Sequence, residues 1–250
     1  MSFRLIFELE PPRKPDLSRV HRQVEIFGPI TDAILVPDNH LGLPAISSVA
    51  IALEIRKAGF KPIVSINARD RNLLRLESDL VTLLAYGIDE VLFLYGDQVK
   101  EGRSTLNVRK MLAVTETLPL AKGVLASPGQ PLGWRSKADF LLTKLDFGRA
   151  EVGPWKRSLE ADKPVYCGVL ALPDVGMAEK ILANIPDLTL PEGYLSLLQE
   201  DEDYGFKAAI DELDHLCSAG MNGAQLVVPA NRRRFAELLA EWSSSRKASP

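Results

Sequence analysis

The chain has 250 residues, of which 46% are hydrophobic, and its mean hydropathy is zero; that is enough apolar material for one substantial core, and an α/β barrel of this length is routinely one domain. Its 30 basic and 33 acidic residues are interleaved, for a net charge of −3. The balance gives no sign of a nucleic-acid or polyanion surface.

The N-terminus lacks the charged-then-apolar pattern of a signal peptide, and no apolar run approaches the roughly 18 residues of a membrane helix. The expectation is a cytoplasmic protein with no membrane partner. Cys167 and Cys217 fall in an expected strand and an expected helix, which favours buried thiols over a disulfide. His21, His40 and His215 are scattered without ligand spacing, so no metal is expected.

In chain order, eight apolar, β-branched runs are bounded by turns: Phe3 to Glu10, Asp32 to Pro37, Pro62 to Asn67, Glu90 to Gly96, Gly123 to Ser127, Asp139 to Asp146, Pro164 to Leu172 and Ala224 to Pro229. Near-continuous apolar runs suit parallel strands buried on both faces. The first ends at Pro11-Pro12, because proline cannot donate to a ladder. Helical periodicity marks Ile46 to Ala58, Asn72 to Tyr86, Thr105 to Thr117, Phe206 to Ala219 and Arg232 to Trp242, several of them closed by glycine or proline. The alternation predicts a single-domain (β/α)8 TIM barrel over residues 1–250, with a doubly wound open sheet as the runner-up.

Two spacings depart from the repeat of about 29 residues in the first four units. Pro128 to Ala138 leaves room for at most a short helix between the fifth and sixth strands. An insertion around 181–203, before the last helix–strand unit, is a candidate lid or interface segment.

In a barrel, chemistry gathers at strand C-termini. Those places hold Glu8 and Glu10, Asp38-Asn39-His40, Asn67 with Arg69-Asp70-Arg71-Asn72, Tyr95-Gly96-Asp97-Gln98, Thr143-Lys144-Leu145-Asp146, and Asn231. Alternation puts Glu8 and Glu10 on one face of the first strand. A carboxyl at a poorly solvated mouth has raised proton affinity and suits a general acid; the alternative is pairing with an arginine. Asp70 or Asn72 is a candidate helix cap, and Arg69 a candidate anion contact. There is no Walker loop, Gly-x-Gly-x-x-Gly, His-Glu-x-x-His or paired Cys-x-x-Cys, and no triad nucleophile motif.

Taken in order, Phe7-Glu8-Leu9-Glu10-Pro11-Pro12, Val36-Pro37-Asp38-Asn39, Asn67-Ala68-Arg69-Asp70-Arg71-Asn72, Gly87-Ile88 before Val91 to Asp97, and Asp139 to Lys144 resemble the methylenetetrahydrofolate reductase family over nearly the whole chain. The resemblance implies a (β/α)8 barrel that binds FAD and reduces 5,10-methylenetetrahydrofolate to 5-methyltetrahydrofolate with NAD(P)H, an oxidoreductase of one-carbon metabolism and methionine biosynthesis. It places the catalytic acid at Glu8, cofactor contacts at Asn67, Arg69, Tyr95, Gly96 and Asp97, and contacts to a folate or related pterin at Asp97, Thr143, Lys144 and Asn39.

Several positions depart from the family pattern. Glu10 stands where an aromatic residue is usual, Tyr95 where an arginine is, and Lys144 where a glutamine holds the pterin. Ser127 to Arg135 replaces a Pro-Glu-x-His segment and a long helix that help hold the flavin. Trp134 and Arg135 are read there as a ring cover and phosphate contact, or as core packing and a solvated arginine. The resemblance leaves two routes for the hydride, through FAD or directly from the nicotinamide. The alternative function is a catalytically altered barrel that binds a one-carbon folate, or serves as a subunit of a methyl-transfer or electron-transfer complex. Both a homo-oligomer and a hetero-complex stay open as assemblies.

Overall fold

The computed structural model of the protein describes residues 3–39, 42–96, 106–145, 152–159, 163–185 and 188–248. The strands are β1 (Arg4–Glu8), β2 (Ala33–Val36), β3 (Pro62–Asn67), β4 (Glu90–Leu94), β5 (Ala121–Leu125), β6 (Phe140–Leu145), β7 (Val165–Leu170) and β8 (Gly223–Val227). They close in sequence order into one barrel, with every neighbouring pair parallel. The (β/α)8 expectation is met, and the open-sheet alternative falls because β8 pairs with β1 over five residue pairs.

The helices are α1 (Ser18–Phe27), α2 (Ser48–Lys57), α3 (Leu73–Ala85), α4 (Val108–Val114), α5 (Val152–Arg157), α6 (Val175–Asn184), α7 (Tyr194–Glu200), α8 (Tyr204–Ser218) and α9 (Arg232–Ala248). Only a 3-10 turn, Gly133–Lys137, occupies the space between β5 and β6, as the short spacing required. The long segment before β8 is itself helical. It begins in α6, continues through α7 and leads into α8, over a small core of its own built from Leu170, Leu172, Ala178, Leu188, Tyr194 and Leu198.

Strand alternation separates two apolar layers. Ile6, Leu35, Ile63, Leu92, Phe140, Leu142 and Tyr166 fill the barrel interior, while Phe7, Val36, Val64, Val91, Val124 and Leu226 face the helices. Phe7 and Phe27 are fully buried and stacked, with centroids 3.8 Å apart, which fixes α1 on β1. Each such side chain contributes about 2 kcal/mol by leaving water. Gly123 makes room inside the barrel: a Cβ there would lie 2.1 Å from the Phe140 ring. At the floor Arg4 forms a bidentate pair with Glu90, at 2.7 and 2.8 Å, and lies over the Tyr166 ring. The strands deliver their C-termini at the opposite end, where barrels of this kind gather their chemistry.

β5 begins two residues earlier than its apolar run suggested, at Ala121. Lys122 sits inside it with its stem buried and its ammonium on the Leu118 carbonyl, so a cation is carried within a core strand.

Candidate active site

Glu8 is the last residue of β1. It has the inward parity of Ile6, and across the β1–β8 ladder Gln225 shares that face. Gln225 is buried, and its side-chain amide donates a short hydrogen bond to Glu8 Oε2. Burial disfavours the anion and pushes the Glu8 carboxyl up to about 7, while the bond from Gln225 acts in the opposite sense. A group in that range holds a proton near neutral pH and can release it.

Glu8 lines a cavity of about 320 Å³ at the barrel mouth. Leu145, Leu170 and Val227 come from the ends of β6, β7 and β8, and Met177, Ile181 and Ile185 from α6 and its C-cap. Pro37 and Leu43 also line it. Met177 and Ile181 stand four residues apart, so one face of α6 presents both to the space. Arg13 and Lys180, both exposed, and Arg232 bring positive charge to its edge. The arrangement can take a flat, largely apolar ring beside one acid, with an anionic group near the cations.

Glu10 has the other fate weighed for it. It is exposed and pairs with Arg19 at 3.1 Å and Arg232 at 2.8 Å. Its main chain is clamped by buried Gln23, whose amide accepts from Glu10 N and donates to Glu10 O.

A second polar group lies on the β2–β3–β4 side. Asn67 is fully buried; its amide donates to Asp38 and Asp70 and accepts from Asp70 N. Arg69 holds Asp70 by two bonds, and Asn39, at a φ of 47°, donates to the same carboxylate. The guanidinium of Arg69 brings the Asp70 carboxyl down to about 2 against the effect of burial, with Asn39 and Asn67 assisting. Arg71 joins Asp38 to Asp79 beneath this group. Asn72, not Asp70, caps α3, accepting from Arg75 N at 2.8 Å. Arg69 N donates to Tyr95 O, and Gly96, at φ 88°, passes so close that a Cβ would lie 3.2 Å from the Asn67 Cβ. Asn39, Asn67, Arg69, Tyr95 and Gly96 are thus one cluster. It does not line the Glu8 cavity. Asp97 lies outside the described residues.

Thr143 and Lys144 separate from each other. The β6–β7 ladder slips between Leu142 and Leu145, and Thr143 Oγ1 accepts Gly168 N there at 3.2 Å. Thr143 is buried, whereas Lys144 is exposed. Arg135 Nε donates to Leu125 O at 3.0 Å, closing the end of β5, and its guanidinium lies 4.6 Å from the Trp134 ring centre. Trp134 in turn meets the exposed Tyr95 edge-on, with centroids 6.5 Å apart.

The flavin implied by the sequence was expected on the β3–β4 cluster. There the Asn67 amide is bonded to Asp38 and Asp70, and the Arg69 guanidinium to Asp70. Among the described residues no group of three or more His, Cys, Asp or Glu side chains is placed to hold a metal ion, and no helix is long and apolar enough to cross a membrane. Cys167 and Cys217 are both free; burial pushes the Cys167 thiol up to about 12.

Gln225 and the α6 wall were not singled out from the sequence. The signal for Gln225 was the inward parity of Gly223, Gln225 and Val227 on β8.

The architecture is shared. An uncharacterized protein from Clostridium thermocellum, solved with two copies of 5-methyl-5,6,7,8-tetrahydrofolic acid, matches with a TM-score of 0.67 at 12% identity, over 98% of this chain and 96% of that one. The EDTA monooxygenase of Chelativorans sp. BNC1 matches with a TM-score of 0.61 at 12% identity, over 99% and 95%. The Bacillus cereus spore cortex-lytic enzyme SleL matches with 0.60 at 13%, over 96% and 74%. At these identities the likeness establishes the barrel alone. No protein-family model matches the chain, and no curated protein matches it in sequence.

Proposed function

We propose that the mouth of this barrel binds a reduced folate, and that the protein is a methylenetetrahydrofolate reductase-like oxidoreductase in which Glu8 is the acid. One observation carries the reading: a carboxyl poised near 7 on the wall of an apolar cavity at the strand C-termini. The ordered motifs of the sequence point to the same residue. A solved barrel of this architecture that binds 5-methyltetrahydrofolic acid adds support at the level of the ligand.

In the overall reaction 5,10-methylenetetrahydrofolate, NAD(P)H and a proton give 5-methyltetrahydrofolate and NAD(P)⁺. Protonation of the amine that leaves the bridging carbon opens the five-membered ring to an N5 iminium, and hydride adds to its exocyclic carbon. Glu8 supplies the proton, Gln225 holds the carboxyl towards the cavity, and the apolar wall keeps water from the iminium. The nicotinamide supplies the hydride. Whether FAD also takes part is read from the visible spectrum of purified protein, where bands near ~370 and ~450 nm report an oxidised flavin.

A second reading, a folate-binding barrel that works as a subunit of a methyl- or electron-transfer complex, is favoured by the β3–β4 cluster, whose polar groups are bonded to one another. Calorimetric titration with 5-methyltetrahydrofolate, followed by an NAD(P)H oxidation assay, separates the two. Binding with turnover supports the reductase, binding without turnover supports the subunit, and no binding removes both.

A further inference from the structure

Glu8 is the last residue of β1, and the chain beyond it soon leaves the ladder. Along this strand the main-chain groups alternate in direction. Leu9 N donates to Leu35 O and Leu5 O accepts from Asp32 N, both on the β2 side, while Arg4 N donates to Asn222 O on the β8 side. Glu10 has the parity of Arg4, so its N–H and C=O turn towards β8. Carried past the pairing of Glu8 with Val227, the register would set Glu10 opposite Pro229, but β8 ends at Val227.

The side chain of Gln23 takes both groups instead. Its Oε1 accepts from Glu10 N at 2.9 Å, and its Nε2 donates to Glu10 O at 3.1 Å and to Arg19 O at 3.0 Å. One glutamine thus does for Glu10 what a neighbouring strand does for the residues before it. Gln23 is 3% exposed and is the polar member of a buried α1 face otherwise made of Val20, Val24 and Phe27. An amide in that setting costs free energy unless it is bonded, and an apolar residue would pack there without the cost. Phe27 stacks on Phe7, so the helix that carries Gln23 is itself fixed to β1.

We propose that Gln23 is a positioning residue for Glu8: by holding both main-chain groups of Glu10 it keeps the end of β1 extended, and with it the Glu8 side chain inside the cavity and against Gln225. The inference concerns where the carboxyl is placed, so it holds for any ligand at the mouth and does not rest on the folate reading. The ion pairs of Glu10 with Arg19 and Arg232 are a separate contact, made by its exposed side chain.

Burial is the larger influence on Glu8 and raises its proton affinity, while the Gln225 bond lowers it. The other charged groups lining the cavity among the described residues are Glu10, Arg13, Lys180 and Arg232. A strand end released from Gln23 lets water reach the carboxyl, so its pKa should fall; loss of the Gln225 bond alone should raise it. The sign separates the two.

The test follows the Glu8 carboxyl by carbon-13 NMR titration in the native chain, in Q23M, which keeps the side-chain length without the bonds, and in R19M; E8Q assigns the signal. In Q23M the carboxyl should drop by about one pH unit or more from about 7, towards the 4.5 of an ordinary glutamate, and R19M should leave it in place. A carboxyl that stays at about 7 in Q23M, whatever the loss of stability, would show an amide that only packs and would overturn the proposal. An equal drop in R19M would assign the effect to the ion pair and overturn it too. Should Q23M not fold, Q23N, whose amide stops one methylene short of Glu10, takes its place with the same outcomes. In the native chain the Glu10 amide hydrogen should exchange as slowly as that of Leu9. Exchange at the rate of an open amide would mean that the clamp is not formed, and the proposal would fall with it.

Discussion

At the scale of single residues the account turns on Glu8 and the atom that touches it. A proton donor with a carboxyl near 7 works while protonated, so the acid-dependent step should slow as pH rises through about 7. E8Q keeps the shape and the bond-forming capacity but has no proton to give, and should lose turnover by about 10²-fold or more while binding the reaction product normally. Gln225 donates to the ionised form; Q225L removes that bond, leaves the burial, and should move the alkaline limb of the pH–rate profile to higher pH. An unmoved limb would show that Gln225 packs there without tuning the acid. Thr143 gives the opposite kind of test. Its hydroxyl replaces a ladder carbonyl for Gly168 N, so T143V should cost about 1–3 kcal/mol in denaturant unfolding and leave folate affinity intact. A large loss of affinity with unchanged stability would restore Thr143 to the substrate.

Among the elements, α6 contributes an apolar wall to the mouth. Its last turn, from Ile181, falls in the insertion around 181–203 that the sequence marks as a candidate lid or interface segment, whose leucines, prolines and acids obscure the period. Its Met177 and Ile181 nevertheless wall the cavity. I181S should weaken binding of 5-methyltetrahydrofolate about tenfold by removing apolar contact, measured by titration, with little change in unfolding because Ile181 is only half-buried. α1 was hidden for a related reason. Ser18 to Phe27 shows Val20, Val24 and Phe27 on one face, but His21, Arg22 and Glu25 crowd the rest and Gln23 is buried for its polar bonds. The strands were far more legible, since a strand buried on both faces needs an apolar run that little else in the chain imitates. What the linear pattern could not supply was the partnering of polar groups. Asn67 and Arg69 look available to a ligand until Asp38 and Asp70 are placed beside them.

For the molecule as a whole, closure of the barrel brings residues 8 and 225 into contact and creates a stability cost with a definite sign. The Glu8 carboxyl lies near 7 in the folded chain against 4.5 for an ordinary glutamate, so the folded state binds more protons across that interval. Stability should therefore decline as pH rises from about 4.5 to about 7 and level off above, by an amount on the order of 3 kcal/mol from this group. E8Q should lack that decline in chemical denaturation series taken across the interval. The overall charge balance concealed a further property visible only in three dimensions: five arginines from two distant stretches face one groove.

The central claim is that Glu8 protonates a folate at the barrel mouth, and it meets its most direct test in NAD(P)H oxidation with 5,10-methylenetetrahydrofolate, followed from about pH 6 to about pH 9 for the native chain and E8Q side by side. The account predicts turnover that falls through about pH 7 in the native chain and is abolished in E8Q. Turnover in E8Q at the native rate, with the same pH dependence, would contradict it.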